Sequence, residues 1–104
     1  MDRITVAEAR KQPAIGRQVK LQGWIRTRRD SKGGFSFLEV NDGSCMSNIQ
    51  IVADDSLTTY ESEVNRLSPG CSLTTEGEVK PSGGAGQSTE ILASTVQVHG
   101  WAEP

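Results

Sequence analysis

The sequence has one histidine, two cysteines and five aromatic residues, and no apolar run approaching the ~20 residues of a membrane span. Each scarcity excludes something. His99 has no second imidazole with which to share a metal, and Cys45 and Cys71 match no zinc or redox spacing. Two cysteines are too few for a secreted disulfide framework, and both read as small apolar core residues. No Ser–His–Asp set and no clustered carboxylate pair stands out, so acid/base and nucleophilic catalysis have no visible carrier. The opening MDRITVAEARKQP has no apolar stretch of the secretory kind, which makes the cytoplasm the expected compartment. Neither cofactor nor metal nor membrane contact is expected. The GGAG run at 83–86 lacks the Lys-Ser/Thr of a phosphate loop and reads as a connector.

What remains suits a single domain over 1–104. Hydrophobic residues make up 35% of the 104, and 11 are glycine, an ordinary globular mixture. The net charge of −2 conceals an asymmetry. Residues 1–32 hold nine cations against three anions, and the rest holds Arg66 and Lys80 against ten carboxylates. Such a basic first third is either a footprint for polyanions or an ordinary solvated surface.

Periodicity sets the architecture. Thr5-Val-Ala-Glu8 is a capping box, predicting a short helix over 6–11 within an N-terminal extension, 1–15, that stops before Pro13. Val19, Leu21, Gly23 and Ile25 then share one parity of a strand, with Gly23 marking a bend at which one strand serves two sheets. Turn clusters at 30–34 and 41–44 bound a second strand over 35–41, and 47–53 forms a third. Leu57, Tyr60, Val64 and Leu67 fall at helical spacing behind the capping pattern Thr58-x-x-Glu61, predicting a helix of about ten residues. Residues 71–80 alternate as a fourth strand. The last strand, 89–98, changes parity part-way, as a bulge would make it. An all-β chain of five strands, with a long bent first one and a helix between the third and fourth, predicts a Greek-key OB-fold barrel. The pattern alone also allows a β-grasp or an SH3-like barrel.

The binding face follows from parity. Leu38 and Val40 suit the core, which turns Phe35, Phe37 and Glu39 outward; Ile49, Ile51 and Ala53 face in and Gln50 faces out beside them. An exposed phenylalanine stacks a base for ~1–3 kcal/mol, and an amide reads a base edge. The bland alternative is that either ring caps the core and Gln50 is a solvated amide. Arg26, Arg28 and Arg29 bring positive charge to the same end of the first strand.

GWIRTRRDSKGGFSFLEVNDGS (23–44) resembles the N-terminal anticodon-binding domain of class IIb aminoacyl-tRNA synthetases, the Asp, Asn and Lys group. Within it, RTRRDSK, NDGSC, the Tyr-x₃-Val-x-Arg-Leu segment (60–67), GCS (70–72) and HGWAEP (99–104) are most similar to the asparaginyl type. The likeness covers residues 17–104. It implies an anticodon with a middle uridine, stacked by Phe37 and contacted at its edge by Gln50 and the Arg29 region. By the same resemblance Glu90 reads the first anticodon base, and Asn48 and Lys32 are further candidates. The implied partner is a tRNA anticodon loop, and the implied parent is a homodimeric ligase. The 104 residues contain no class II catalytic motif, so this chain, an excised domain or a free-standing relative of that parent, is expected to be a binding module and not itself an enzyme; its complete five-strand pattern predicts a monomer, and 101–104 starts a linker. A single-stranded RNA or DNA binder without anticodon specificity, and a protein-interaction scaffold, are the competing expectations.

Overall fold

One strand of 13 residues, Gln18–Asp30, organises the whole chain. The computed structural model describes residues 2–31, 33–82 and 89–102. In chain order its elements are β1 (Asp2–Arg3), helix α1 (Val6–Ala9), β2 (Gln18–Asp30), β3 (Phe35–Asn41), β4 (Ile49–Asp54), β5 (Ser72–Pro81) and β6 (Thr89–Gly100). The strands lie in the order β1-β2-β3-β4-β6-β5, and β2 also pairs with β5, closing a five-stranded barrel. Pairing is antiparallel except for β1–β2 and β4–β6. That closure, with its parallel β4–β6 pair, is the OB topology, and the β-grasp and SH3-like alternatives fall away.

The bend in β2 has the cause the sequence suggested. Residues 18–24 pair with β5 and residues 24–30 with β3. At the crossover a Cβ on Gly23 would stand 2.5 Å from the Asn41 carbonyl oxygen, so only glycine lets the two halves of the barrel meet there. The bulge in the last strand is equally concrete. Glu76 pairs with Thr95 and Gly77 with Ala93, leaving Ser94 as the extra residue that switches parity.

Inside, Val19, Leu21, Leu38, Val40, Ile51 and Ile91 are fully buried. Cys71 joins them, whereas Cys45 is half-buried against the core. Helix α1 plugs one barrel end with Val6 and Ala9. Its Thr5–Glu8 capping box forms as expected. The Val6 N–H donates to Asp42 Oδ2 at 3.0 Å, and Thr89 Oγ1 donates to the Ala9 carbonyl at 2.7 Å. The helix is shorter than 6–11, because Pro13 belongs to a separate 3₁₀ turn, Gln12–Ala14.

The expected helix over 57–67 does not form. The Asp54 side chain opens a turn by accepting from the Ser56 N–H at 3.0 Å, and the chain then runs through turns to one 3₁₀ turn, Val64–Arg66. Leu57, Val64 and Leu67 are buried all the same, so the helical spacing recorded burial and not backbone conformation. Thr58, Thr59, Ser62, Val64 and Asn65 are weak helix formers. The carbonyls of Val64 and Leu67 instead accept from Arg28 Nη1, each at 2.7 Å.

Candidate nucleic-acid interface

Strand register places the outward side chains of β2, β3, β4 and β6 in rows across the sheet. One row runs Arg29, Phe37, Val52, Leu92. The next runs Thr27, Glu39, Gln50, Glu90 and on to Lys80 of β5. Phe35 stands before the first row, opposite Asp54.

The first row is aromatic and apolar. The Phe35 and Phe37 rings lie 6.5 Å apart at an interplanar angle of 20°, and the Arg29 guanidinium sits 5.0 Å from the Phe37 centroid. Phe35 is 38% exposed and Phe37 half-buried, so neither ring caps the core. Leu92, partly exposed, continues the apolar surface beyond Phe37, with Val52 buried in the row between them. Both escaped the sequence reading, because an apolar residue on an outward parity looks like core until its cross-strand neighbours are known.

The second row is polar. Gln50 Nε2 donates to Glu90 Oε1 at 3.4 Å, and Thr27 Oγ1 donates to Glu39 Oε2 at 2.8 Å. Glu90 precedes the Ser94 bulge and so keeps an outward parity beside Gln50. Lys80 Nζ lies 3.9 Å from Glu78.

The remaining candidates divide. Arg26 is exposed at a register shift between Ile25 and Thr27. That shift sends Arg28 inward, opposite Leu38, instead of onto the sheet face. Besides its two carbonyl partners, Arg28 pairs with Asp30 at 3.1 Å, and its side chain is 13% exposed. The Ser36 hydroxyl, with Arg28 beside it, holds the Asp30 carboxyl below its usual range against the opposing effect of burial. Arg28 therefore braces the barrel end and does not join the face. Asn48 is half-buried in the β3–β4 turn, where its Oδ1 accepts from Asn41 Nδ2 at 3.1 Å and its carbonyl accepts from Arg10. Lys32 lies outside the described residues. Among those described, no group of His, Cys, Asp and Glu could hold a metal ion, and no helix is long and apolar enough to cross a membrane.

An OB barrel with an aromatic row beside a polar one defines a nucleic-acid-binding domain. Residues 19–99 match the tRNA anti-codon family, described as an OB-fold nucleic acid binding domain, and the chain belongs to that family. It is 54% identical, over 97% of its length, to the asparagine–tRNA ligase of Desulfotalea psychrophila, and 50% identical, over 99%, to that of Rhodopirellula baltica. It spans 21% of each, about a fifth of these curated relatives. Among solved structures, asparaginyl-tRNA synthetase from Pyrococcus horikoshii complexed with asparaginyl-adenylate shares the fold, with a TM-score of 0.83 at 24% identity. The match covers 96% of this chain and 23% of that one. An OBody bound to hen egg-white lysozyme shares it as well, with a TM-score of 0.79, 20% identity, and coverage of 95% and 94%.

Proposed function

We propose that this chain binds the anticodon loop of a tRNA as the anticodon-binding part of an asparaginyl-type synthetase, and that it reads a middle uridine. The observation that carries the reading is the pair of adjacent rows, Phe37 under Arg29 in one and Gln50 tied to Glu90 in the other. A fold by itself does not choose a ligand, but these side chains suit an unstacked base. A base stacked on Phe37 replaces a cation–π contact worth about 0.5–1 kcal/mol and frees the Arg29 guanidinium for a phosphate.

Gln50 gives the base its identity. At N3 uridine offers an N–H donor where cytidine offers an acceptor, and the 4-position is a carbonyl in one and an amino group in the other. A free glutamine amide could turn over and accept either. Here Nε2 is held toward Glu90, leaving Oε1 to accept from the uridine N–H. The second Glu90 oxygen is then available to the N–H groups of a guanine at the first anticodon position. On this reading the 104 residues, about a fifth of the length of these ligases, supply anticodon binding and not amino-acid activation, and the cytoplasm is their place of work.

Titrating an anticodon stem-loop bearing the middle uridine, and the same stem-loop with cytidine there, tests the reading. The uridine loop should bind more tightly. Equal affinities would identify a general single-strand binder, and binding of neither would identify a scaffold.

A further inference from the structure

One concavity of the barrel lies away from that sheet face. It is an open groove of about 780 Å³ around the middle of β2, and its walls include Arg3, Gln22, Trp24, Asp42, Ser72 and His99. Trp24 is the crossover residue, paired with Asn41 of β3 on one side and Ser72 of β5 on the other. It turns outward with 38% of its surface exposed. Its indole edge rests against the turn after β3, close enough that a Cβ on Gly43 would lie 3.7 Å from it. The ring is therefore supported along an edge and still open to solvent. A buried-core role for it is excluded by parity, since Val19, Leu21 and Ile25 fill the barrel from the opposite face of the strand.

We propose that this groove takes a nucleotide of the same RNA lying outside the anticodon triplet, its base against Trp24 and its phosphates toward Arg26 and Arg3. The proposal rests on the anticodon-binding reading and adds a second point of attachment to it. Three observations select RNA over another occupant. The groove is continuous with the proposed base-binding face: Arg29, Thr27, Arg26 and Trp24 succeed one another along the exposed side of β2, over about 15 Å of strand. Arg3 in its wall pairs in register with Lys20, and both belong with Arg26 to the basic first third of the chain. Its lining combines apolar surface with side-chain donors and acceptors around the Trp24 ring, the composition that suits a splayed nucleotide. The anion in the wall, Asp42, is already engaged by the Val6 N–H and by the hydroxyl and N–H of Ser44. Thr74 Oγ1, 2.6 Å from His99 Nε2, fixes the imidazole at the rim.

The chain has two tryptophans, so Trp101→Phe leaves Trp24 as the sole indole reporter. Titration of this variant with the uridine stem-loop should change Trp24 emission in step with binding, and a trinucleotide of the anticodon alone should bind without that change. In the otherwise native chain, Trp24→Ala should weaken the stem-loop on the order of ten-fold, leave the trinucleotide unaffected, and preserve the preference for uridine over cytidine. Trp24→Phe should recover part of the loss. Should Trp24→Ala unfold, the emission titration decides alone. Discrimination between the loops with Trp24 emission unmoved at saturation would overturn the groove proposal and leave the anticodon reading intact. Failure of the stem-loop to bind at all would overturn both.

Discussion

Phe37 and Gln50 differ in what they can do for a ligand, and that difference separates their mutants. A π-face accepts any base, so Phe37→Ala should cost ~1–3 kcal/mol for uridine and cytidine loops alike. Gln50→Ala should chiefly weaken the uridine loop, and Glu90→Gln should reduce the discrimination as well, by releasing the amide that Glu90 holds. Neither Phe37→Ala nor Gln50→Ala should lower thermal stability as a core deletion does, because both side chains stand on the solvent side of the sheet. Arg28→Ala should do the reverse. It strips two carbonyls of a charged donor, so unfolding curves should show a loss of about 2–3 kcal/mol while RNA affinity of the folded protein holds. A fall in affinity without a fall in stability would move Arg28 onto the face after all. Strict alternation from Phe35 to Val40 made the β3 side chains legible from sequence. The three arginines were not, because the register shift at Arg26 reverses parity between Ile25 and Thr27 and nothing in RTRR announces it.

Strands were easier to read than the segment between them. Alternation reports backbone and burial together, since side-chain period and pleat coincide. In residues 57–67 the two separate: apolar residues spaced to face one way are buried by turns that Asp54 and Arg28 organise. The elements also carry two tests. Gly23→Ala should destabilise by about 1–3 kcal/mol or prevent folding, because its Cβ would press on the Asn41 carbonyl and on Val40 Cγ1 at 2.7 Å. Denaturant midpoints would show it, and a neutral result would mean that the crossover has room to open. Asp42 fastens α1 to the β3–β4 turn. Burial raises its pKa, but hydrogen bonds from the Ser44 hydroxyl and N–H and from the Val6 N–H outweigh it and hold the carboxyl below its usual range. A carboxylate lowered in the folded state stabilises fully above its unfolded pKa of ~4 and loses that contribution as pH falls through the folded value. The stability gap between the native chain and Asp42→Asn should thus be widest near neutrality and close in acid. A gap independent of pH would assign the effect to shape alone.

For the molecule as a whole, a net charge of −2 and a polyanionic ligand look incompatible until the charges are placed. The basic first third is not one patch. Arg28 is spent inside the barrel end and Arg10 on the Asn48 carbonyl, while Arg26 and Arg29 are exposed along the proposed binding side of β2. The same side carries Glu39, Glu90 and Glu78 in its rows. Such a surface cannot hold RNA by charge, so stacking and edge contacts must supply most of the affinity, and few counterions leave on binding. Each neutralised phosphate contributes roughly −0.7 to the log–log salt slope for a single strand. With Arg26 and Arg29, and Arg3 if the groove is occupied, the slope for the uridine stem-loop should lie near about −1 to −2. Arg26→Ala should flatten it by somewhat less than one unit without altering the preference for uridine over cytidine. A slope steeper than about −4 would mean that phosphates dominate, in which case the barrel grips backbone, and the rows on its sheet do not select the base.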